Sequence, residues 1–305
     1  MNIRNEKGST IILFALVITV IIGFVGLAVD FGYAVLKDLQ LTNAIDAATL
    51  AAAQDLLEST SAATDTAHEY LQKNGIDPNM VTITFSDSNH SIRLEASTTV
   101  DNRFMRVLGK NTTGIGAAAK ATINPMTKSS GGIKPFGVED GSFEYGDLIT
   151  LKTGDSTSED YGSGNFGALA LGGSGLSNLL DNVEFGYDGP VAVGDLLDTE
   201  PGNMAAMLNP IKKMIADDDT EYTDYGIDSM PEDSIRLWVV PIVDSFQVNG
   251  KNVVEVVGFS VFFVEDIGKQ GGQTSLTGRF VRSILPGEIG TTQEDYGAYA
   301  AKLVE

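Results

Sequence analysis

From Ile11 to Val29 the chain reads IILFALVITVIIGFVGLAV, nineteen residues without a charge. At ~1.5 Å rise per residue such a helix is ~29 Å long, the thickness of a bilayer's hydrocarbon core. A secretory signal would have a shorter apolar core closely followed by small residues at a cleavage site. Asp30, Tyr33 and Lys37 follow instead, and the alanine-rich run comes only near residue 47. The segment therefore predicts a membrane anchor, with Ile11, Leu16, Val20, Gly23, Gly26 and Val29 on its surface. Arg4 and Lys7 precede it and Asp30 is the first charge beyond it. The positive-inside bias puts the N-terminus in the cytoplasm and the chain after residue 30 outside.

The helical pattern continues past the span. Residues 30–58 contain no proline, and Gly32 is their only glycine. Leu41, Ala44, Ile45, Ala48, Ala52 and Leu56 recur at helical spacing on one face. Alanines there permit close approach of a second helix. One helix from Ser9 to Glu58 would be ~75 Å long. It reads equally as a pilin-style spine or as a stalk packing on its own domain.

Periodicity then changes. VTITFSD (81–87) and SIRLEASTTV (91–100) alternate as strands, NRFMRVLG (102–109) reads as a short helix ending at Gly109, and GIGAAAKATI (114–123) reads as a third strand. NPMTKSSGGIKP (124–135) has the proline, serine and glycine content of a linker. Beyond it Phe143–Lys152, Phe166–Leu171, Ile235–Val248, Asn252–Glu265, Leu276–Leu285 and Tyr296–Val304 are candidate strands. Asn249-Gly250 is a strong hairpin signal between two of them. Helices are expected near Ser174–Val183 and from about Asn203 to Ala216.

The expected fold class is α+β. A transmembrane and spine helix (1–58) leads into a small α+β module (59–123) and a linker (124–135). An acidic, β-rich extracellular domain (136–305) follows, a sandwich or barrel with helical insertions.

Charge sharpens this division. Residues 1–135 carry 12 acidic and 11 basic side chains, whereas residues 136–305 carry 29 acidic and 9 basic, nearly the whole net charge of −21. The C-terminal surface repels nucleic acid and anionic headgroups, so no nucleic-acid partner is expected. There is no cysteine, which excludes disulfides, thiolate metal sites and thiol nucleophiles.

Candidate chemistry is sparse. Gly162-Ser163-Gly164-Asn165-Phe166-Gly167 is a literal GxGxxG, but an acidic polar stretch precedes it and a strand-like run follows. A dinucleotide site needs a buried strand before and a helix after. TEPGNM (199–204) reads as a turn with Asn203 as a helix cap. The two histidines, His68 on a polar helix and His90 in a turn, have no evident nucleophile partner. With 29 acids in the C-terminal part, coincidental carboxylate pairs carry no information on glycoside chemistry. No catalytic residue and no cofactor is assigned. The acidic clusters Asp155–Asp160 and Asp217, Asp218, Asp219, Glu221 with Asp224 are weak calcium candidates without an EF-hand pattern.

Residues 8–54, GSTIILFALVITVIIGFVGLAVDFGYAVLKDLQLTNAIDAATLAAAQ, resemble the TadG-like members of the Tad/Flp pilus-assembly family. The resemblance rests on the glycine–serine start, the apolar span, Val29-Asp30, and the run from Asn43 to Ala52. The strand–strand–helix–strand pattern to residue 123 is similar to the small TadE/TadG-like module. Stretches 164–175 and 199–204 look like C-terminal regions of Gram-positive TadG-like proteins. A type IV prepilin has an acidic residue five beyond its cleavage-site glycine, where this chain has Leu13. The resemblance thus implies an unprocessed anchor that keeps Arg4 and Lys7.

The function it implies is a structural, non-enzymatic component of pilus assembly or of a cell-surface filament in the bacterial envelope. Expected partners are the membrane and either further copies of the chain or other Tad proteins. One alternative is the filament subunit itself, assembled through residues 11–56. The other is an anchored extracellular enzyme or ligand-binding module.

Overall fold

The computed structural model describes residues 7–141, 145–153, 165–200, 204–218, 234–245, 253–270, 273–290 and 293–304. They form a mixed α+β chain of two compact units. One comprises Met1–Asp55, Thr60–Ala121 and Leu303–Glu305, and the other Leu56–Ser59 and Thr122–Lys302.

The first unit is built on α1 (Lys7–Gln54), a single unbroken helix of 48 residues. Its two halves differ in surroundings. From Ile11 to Val25 the apolar side chains are exposed on every side, while Leu41, Ala44, Ile45, Ala48 and Ala52 are fully buried. Their i, i+3, i+4 spacing turns them to one face, and α2 (Thr60–Lys73) packs there. Ala63, Ala67 and Leu71 supply the matching face of α2. Small residues on both helices let the backbones approach.

β1 (Val81–Ser86), β2 (Ser91–Asp101) and β3 (Thr112–Ser129) form the sheet of this unit. β1 and β2 pair antiparallel from Val81 opposite Ala96 to Ser86 opposite Ser91. Ile92, Leu94 and Ala96 alternate inward, and β2 packs on α1. The tight β1–β2 turn places Asp87, Ser88 and Asn89 in the left-handed region, which short polar side chains tolerate. Asp87 holds the turn by accepting from the Ser91 hydroxyl at 2.6 Å and from Lys120 Nζ at 2.9 Å.

β3 is longer than its pattern suggested. It continues through Pro125 to Ser129, so residues 124–129, whose composition reads as linker, are strand. From Thr122 on, β3 belongs to the second unit, where its last residues pair with β7 (Val191–Ala192) and β13 (Gly287–Ile289).

The second unit is a curled sheet that closes on itself. Its strands are β4 (Phe136–Glu139), β5 (Ile149–Thr153), β6 (Asn165–Ala168), β9 (Leu237–Val243), β10 (Val253–Gln270) and β11 (Gln273–Val281). Pairings run β11–β5–β6–β4–β9–β10, and β10 pairs back to β11. β5–β6 and β4–β9 are parallel and the other pairs antiparallel. β8 (Leu196–Asp198) adds to the start of β10. GxGxxG ends inside β6, so a strand follows it; the residues before Asn165 lie outside the described set, as do Asn249-Gly250 and Asn203. The antiparallel β9–β10 pairing is the one that hairpin signal implies.

One core gathers Phe136, Trp238, Ile242, Phe262, Val264 and Phe280 with Leu179 and Val183 of α3 (Leu176–Phe185) and Ile211 of α4 (Leu208–Asp217). Phe136 and Trp238 stack at 5.0 Å between centroids. Val261, Phe263 and Phe259 belong to a second core with Met126, Ile133, Val191 and Val281. β10 therefore buries both of its faces. Lys134 reaches under α3, donating to the carbonyls of Val183 at 2.8 Å and Glu184 at 3.1 Å. A cation there meets the negative end of the helix dipole. Burial pushes the Lys134 ammonium down to about 8, against the opposing pull of the Glu184 charge.

Two tests follow from this packing. Phe262→Ala should cost ~3–5 kcal/mol as a cavity-forming truncation. Thermal or denaturant unfolding followed through Trp238, the chain's single tryptophan, reads this directly. In the first unit, the Ser91 hydroxyl and then Lys120 hold the Asp87 carboxyl down to about 2, from a starting value of 3.8. A depressed carboxyl stabilises the fold above its unfolded pKa and loses that contribution as pH falls through the folded one. The stabilisation is thus full above about pH 4 and fades toward pH 2. Carbon-detected NMR titration should place the Asp87 carboxyl well below the ordinary aspartate value, and Lys120→Met should raise it.

Candidate functional site

The features that carry function lie along α1. Ile11, Leu16, Val20 and Val29 are each about half exposed or more, and nothing in the fold approaches Gly23 within van der Waals reach. The most apolar eighteen-residue stretch of α1 has a mean hydropathy of 3.0 and is 6% buried. A soluble core helix of that composition would be covered by its own protein. This one is bare through its first half and continues without a break to Gln54.

The bare half ends at Gly26. There the Phe104 side chain lies against the helix so closely that a Cβ on Gly26 would fall 2.7 Å from it. One turn on, Asp30 is 4% exposed. Its carboxylate accepts three backbone N–H groups, from Arg103 at 2.9 Å, Phe104 at 2.7 Å and Met105 at 2.6 Å. Burial by itself raises the Asp30 pKa. The amides of Met105, Arg103 and Phe104, with the Arg103 charge, outweigh it and hold the carboxyl below its ordinary value. The turn Met105–Leu108 is a 3₁₀ segment closed by Gly109 in the left-handed conformation. Inside it, Asn102 ties the two ends together, receiving the Thr113 hydroxyl at 2.8 Å and donating to the Lys110 carbonyl at 3.2 Å.

Above this latch a groove of about 430 Å³ runs between α1 and β2, lined by Tyr33, Lys37, Gln40, Leu41, Thr99 and Arg103 among others. Its polar and apolar walls carry no convergent catalytic set. The helical residues singled out by spacing thus separate. Ile11, Leu16, Val20, Gly23 and Val29 are bare, Gly26 receives Phe104, and Leu41, Ala44, Ile45, Ala48 and Ala52 are covered within their own unit. Leu56 is buried. Of the acidic cluster, Asp217 ends α4 and Asp218 accepts the Ser234 hydroxyl at 3.0 Å, while Asp219, Glu221 and Asp224 lie outside the described residues, as does Asp155–Asp160. No group of three metal-ligating side chains occurs among the described residues. His90 sits in the β1–β2 turn and His68 on α2, in no catalytic arrangement.

The latch escaped sequence reasoning because its partners are more than seventy residues apart. A usable signal existed: residues 102–120 hold Arg103, Arg106, Lys110 and Lys120 and no acid, in a strongly acidic chain.

Removing the latch should free the turn and spare the helix packing. In Asp30→Ala, backbone amides of Arg103, Phe104 and Met105 should exchange with deuterium several-fold faster, with residues 41–52 unchanged. Gly26→Ala should act in the same direction by displacing Phe104.

No curated protein and no solved structure shows a significant match to the chain. Residues 8–55, almost the same span as α1, match the family model described as putative Flp pilus-assembly TadE/G-like, so the similarity to that family lies in the N-terminal helix.

Proposed function

We propose that this chain is a structural, membrane-anchored component of a Tad/Flp-type pilus-assembly or surface-filament system. Residues 11–29 cross the membrane, Arg4 and Lys7 stay on the cytoplasmic side, and the remainder works outside. The observation that carries the reading is the division of α1: one unbroken helix, apolar and bare on all sides before Gly26, and built into a folded module after Asp30. The pilus-assembly setting is supported by the match of residues 8–55. The role is one of holding and presenting, with no chemistry assigned to any side chain.

A second reading has a specific observation in its favour. Apolar helices bare on every side also pack into filament cores, so the chain could be the filament subunit. In that case the free surface is the bare segment before Gly26, together with exposed positions after it such as Val29, Phe31, Leu36 and Leu39. The stripe from Leu41 to Ala52 is already covered by the chain's own module.

Alkaline carbonate extraction of native membranes tests the anchor. Wild-type protein should stay with the membrane. Val20→Arg places a charge at mid-span, at a cost of about 2.5–3.5 kcal/mol on insertion scales, and should be extracted or inserted less. Release of the wild-type chain as easily as a peripheral protein overturns the anchor. Intact-mass measurement on the same material separates the two readings. The anchor keeps Arg4 and Lys7, whereas a mature start at Ser9 favours the subunit.

A further inference from the structure

We propose that the turn from Arg103 to Lys110 is a second membrane contact. It would be an interfacial foot that seats Val107 and Leu108 at the headgroup–acyl boundary of the outer leaflet, with Arg106 and Lys110 on lipid phosphates. The inference rests on the reading of residues 11–29 as a membrane span.

Position is the first argument. β2 ends and β3 begins beside residues 31–37 of α1: Asp101 and Arg103 line a groove with Tyr33 and Lys37, and Lys110 to Gly114 line another with Phe31 and Ala34. The turn between those strands extends back toward the N-terminus, because Phe104 meets Gly26 and three amides meet Asp30. Gly26 lies three residues inside the apolar span, ~4.5 Å along the helix from Val29. The turn is thus held at the depth where hydrocarbon gives way to headgroups.

Composition is the second. Val107 is 89% exposed and Leu108 70%. Neither is needed by the core, and the adjacent Phe104 is also half exposed. A water-facing turn has no reason to present three such side chains side by side. Among the described residues, Arg106 and Lys110 form no salt bridge. The run 102–120 carries four basic residues and no acid, the reverse of the chain's net −21. Apolar tips flanked by basic side chains are the chemistry of an interfacial contact with anionic lipid, in which long cationic stems reach up to phosphate. A shared surface with another protein would not need that depth.

Rigidity is the third. An interfacial contact helps only if it is ordered before binding. The Asp30 carboxylate, Gly109 at φ 81° and the Asn102–Thr113 pair supply that order.

The chain has no cysteine, so single-cysteine probes can be placed in the full-length protein reconstituted in bilayers containing anionic phospholipid. Val107→Cys and, separately, Leu108→Cys would carry an environment-sensitive dye. Val20→Cys is the mid-span reference. Thr84→Cys is the aqueous reference: it pairs with Arg93, eight residues along β2 from Asp101, or ~26 Å away. Quenching is read with lipids bearing nitroxides at shallow and at deep positions. Dyes at 107 and 108 should be blue-shifted and quenched several-fold more by shallow nitroxides than the dye at 84. Position 20 should respond to deep nitroxides. Arg106→Glu combined with Lys110→Glu should reduce the shallow quenching at 107. If position 20 is quenched while 107 and 108 match 84, the foot is refuted and the anchor stands. If position 20 is unquenched as well, the anchor fails and the foot with it. A dye at 107 shielded from water but unquenched by lipid, with energy transfer to a second labelled copy, assigns the turn to a protein–protein contact and refutes the proposal.

Discussion

A helix that is apolar on all sides for part of its length and apolar on one stripe for the rest must change surroundings partway along, and the change has to be marked. In α1 the mark is Asp30. Above it lie the alanine stripe, α2 and the three-stranded sheet; below it, among the described residues, the helix is bare except around Gly26, which receives Phe104, and half-buried Leu27. A carboxylate just past the apolar span would be costly without partners. Three backbone amides on one turn satisfy it, and the same three bonds fix where the sheet meets the helix. The edge of the anchor and the seat of the module are therefore one interaction.

The acidic unit solves a different problem. It buries its large aromatics by curling a sheet until β10 meets both β9 and β11. The length of β10 lets one face serve the core around Trp238 and the other the core around Phe259. Within that closure Trp238 Nε1 and the Ser260 hydroxyl lack a hydrogen-bond partner among the described residues, a cost of roughly 1–3 kcal/mol each that the surrounding apolar packing offsets. Charge is left to the surface, where it favours solubility.

Much of this was readable in the residues. The uncharged run from Ile11 to Val29, the absence of proline and the alanine spacing together specified α1, although it ends at Gln54 rather than the expected Glu58 and leaves Leu56 in the turn beyond. Alternation specified β1 and β2 to within a residue. Where the pattern was misleading, the cause is physical. Pro125 and the serines after it suggested a linker, yet a proline is tolerated in a strand where no neighbour needs its missing N–H, and β3 runs on to Ser129, with the Pro125 carbonyl accepting from Gly290 N–H. β10 is buried on both faces only from Gly258 to Val264; its last residues, Asp266-Ile267-Gly268-Lys269-Gln270, are mostly polar and glycine-containing, so its extent to Gln270 exceeded the pattern. Gly26 stood among the surface positions of the span, and its actual neighbour is an aromatic ring from a distant turn. The role of Asp30 required knowing which amides fold back onto it, and that information resides in tertiary structure alone.

The continuity of α1 also has a mechanical meaning. Forty-eight residues in one helix make a rod of ~72 Å, and neither proline nor loop provides a joint between its embedded and its folded parts. A tilt of the embedded part in the bilayer becomes the same tilt of the module clasped to it. A sideways load on that module reaches the lipid as torque rather than being absorbed by a flexible tether. Asp30 and Phe104 stand at the fulcrum of that lever, where such a load would concentrate.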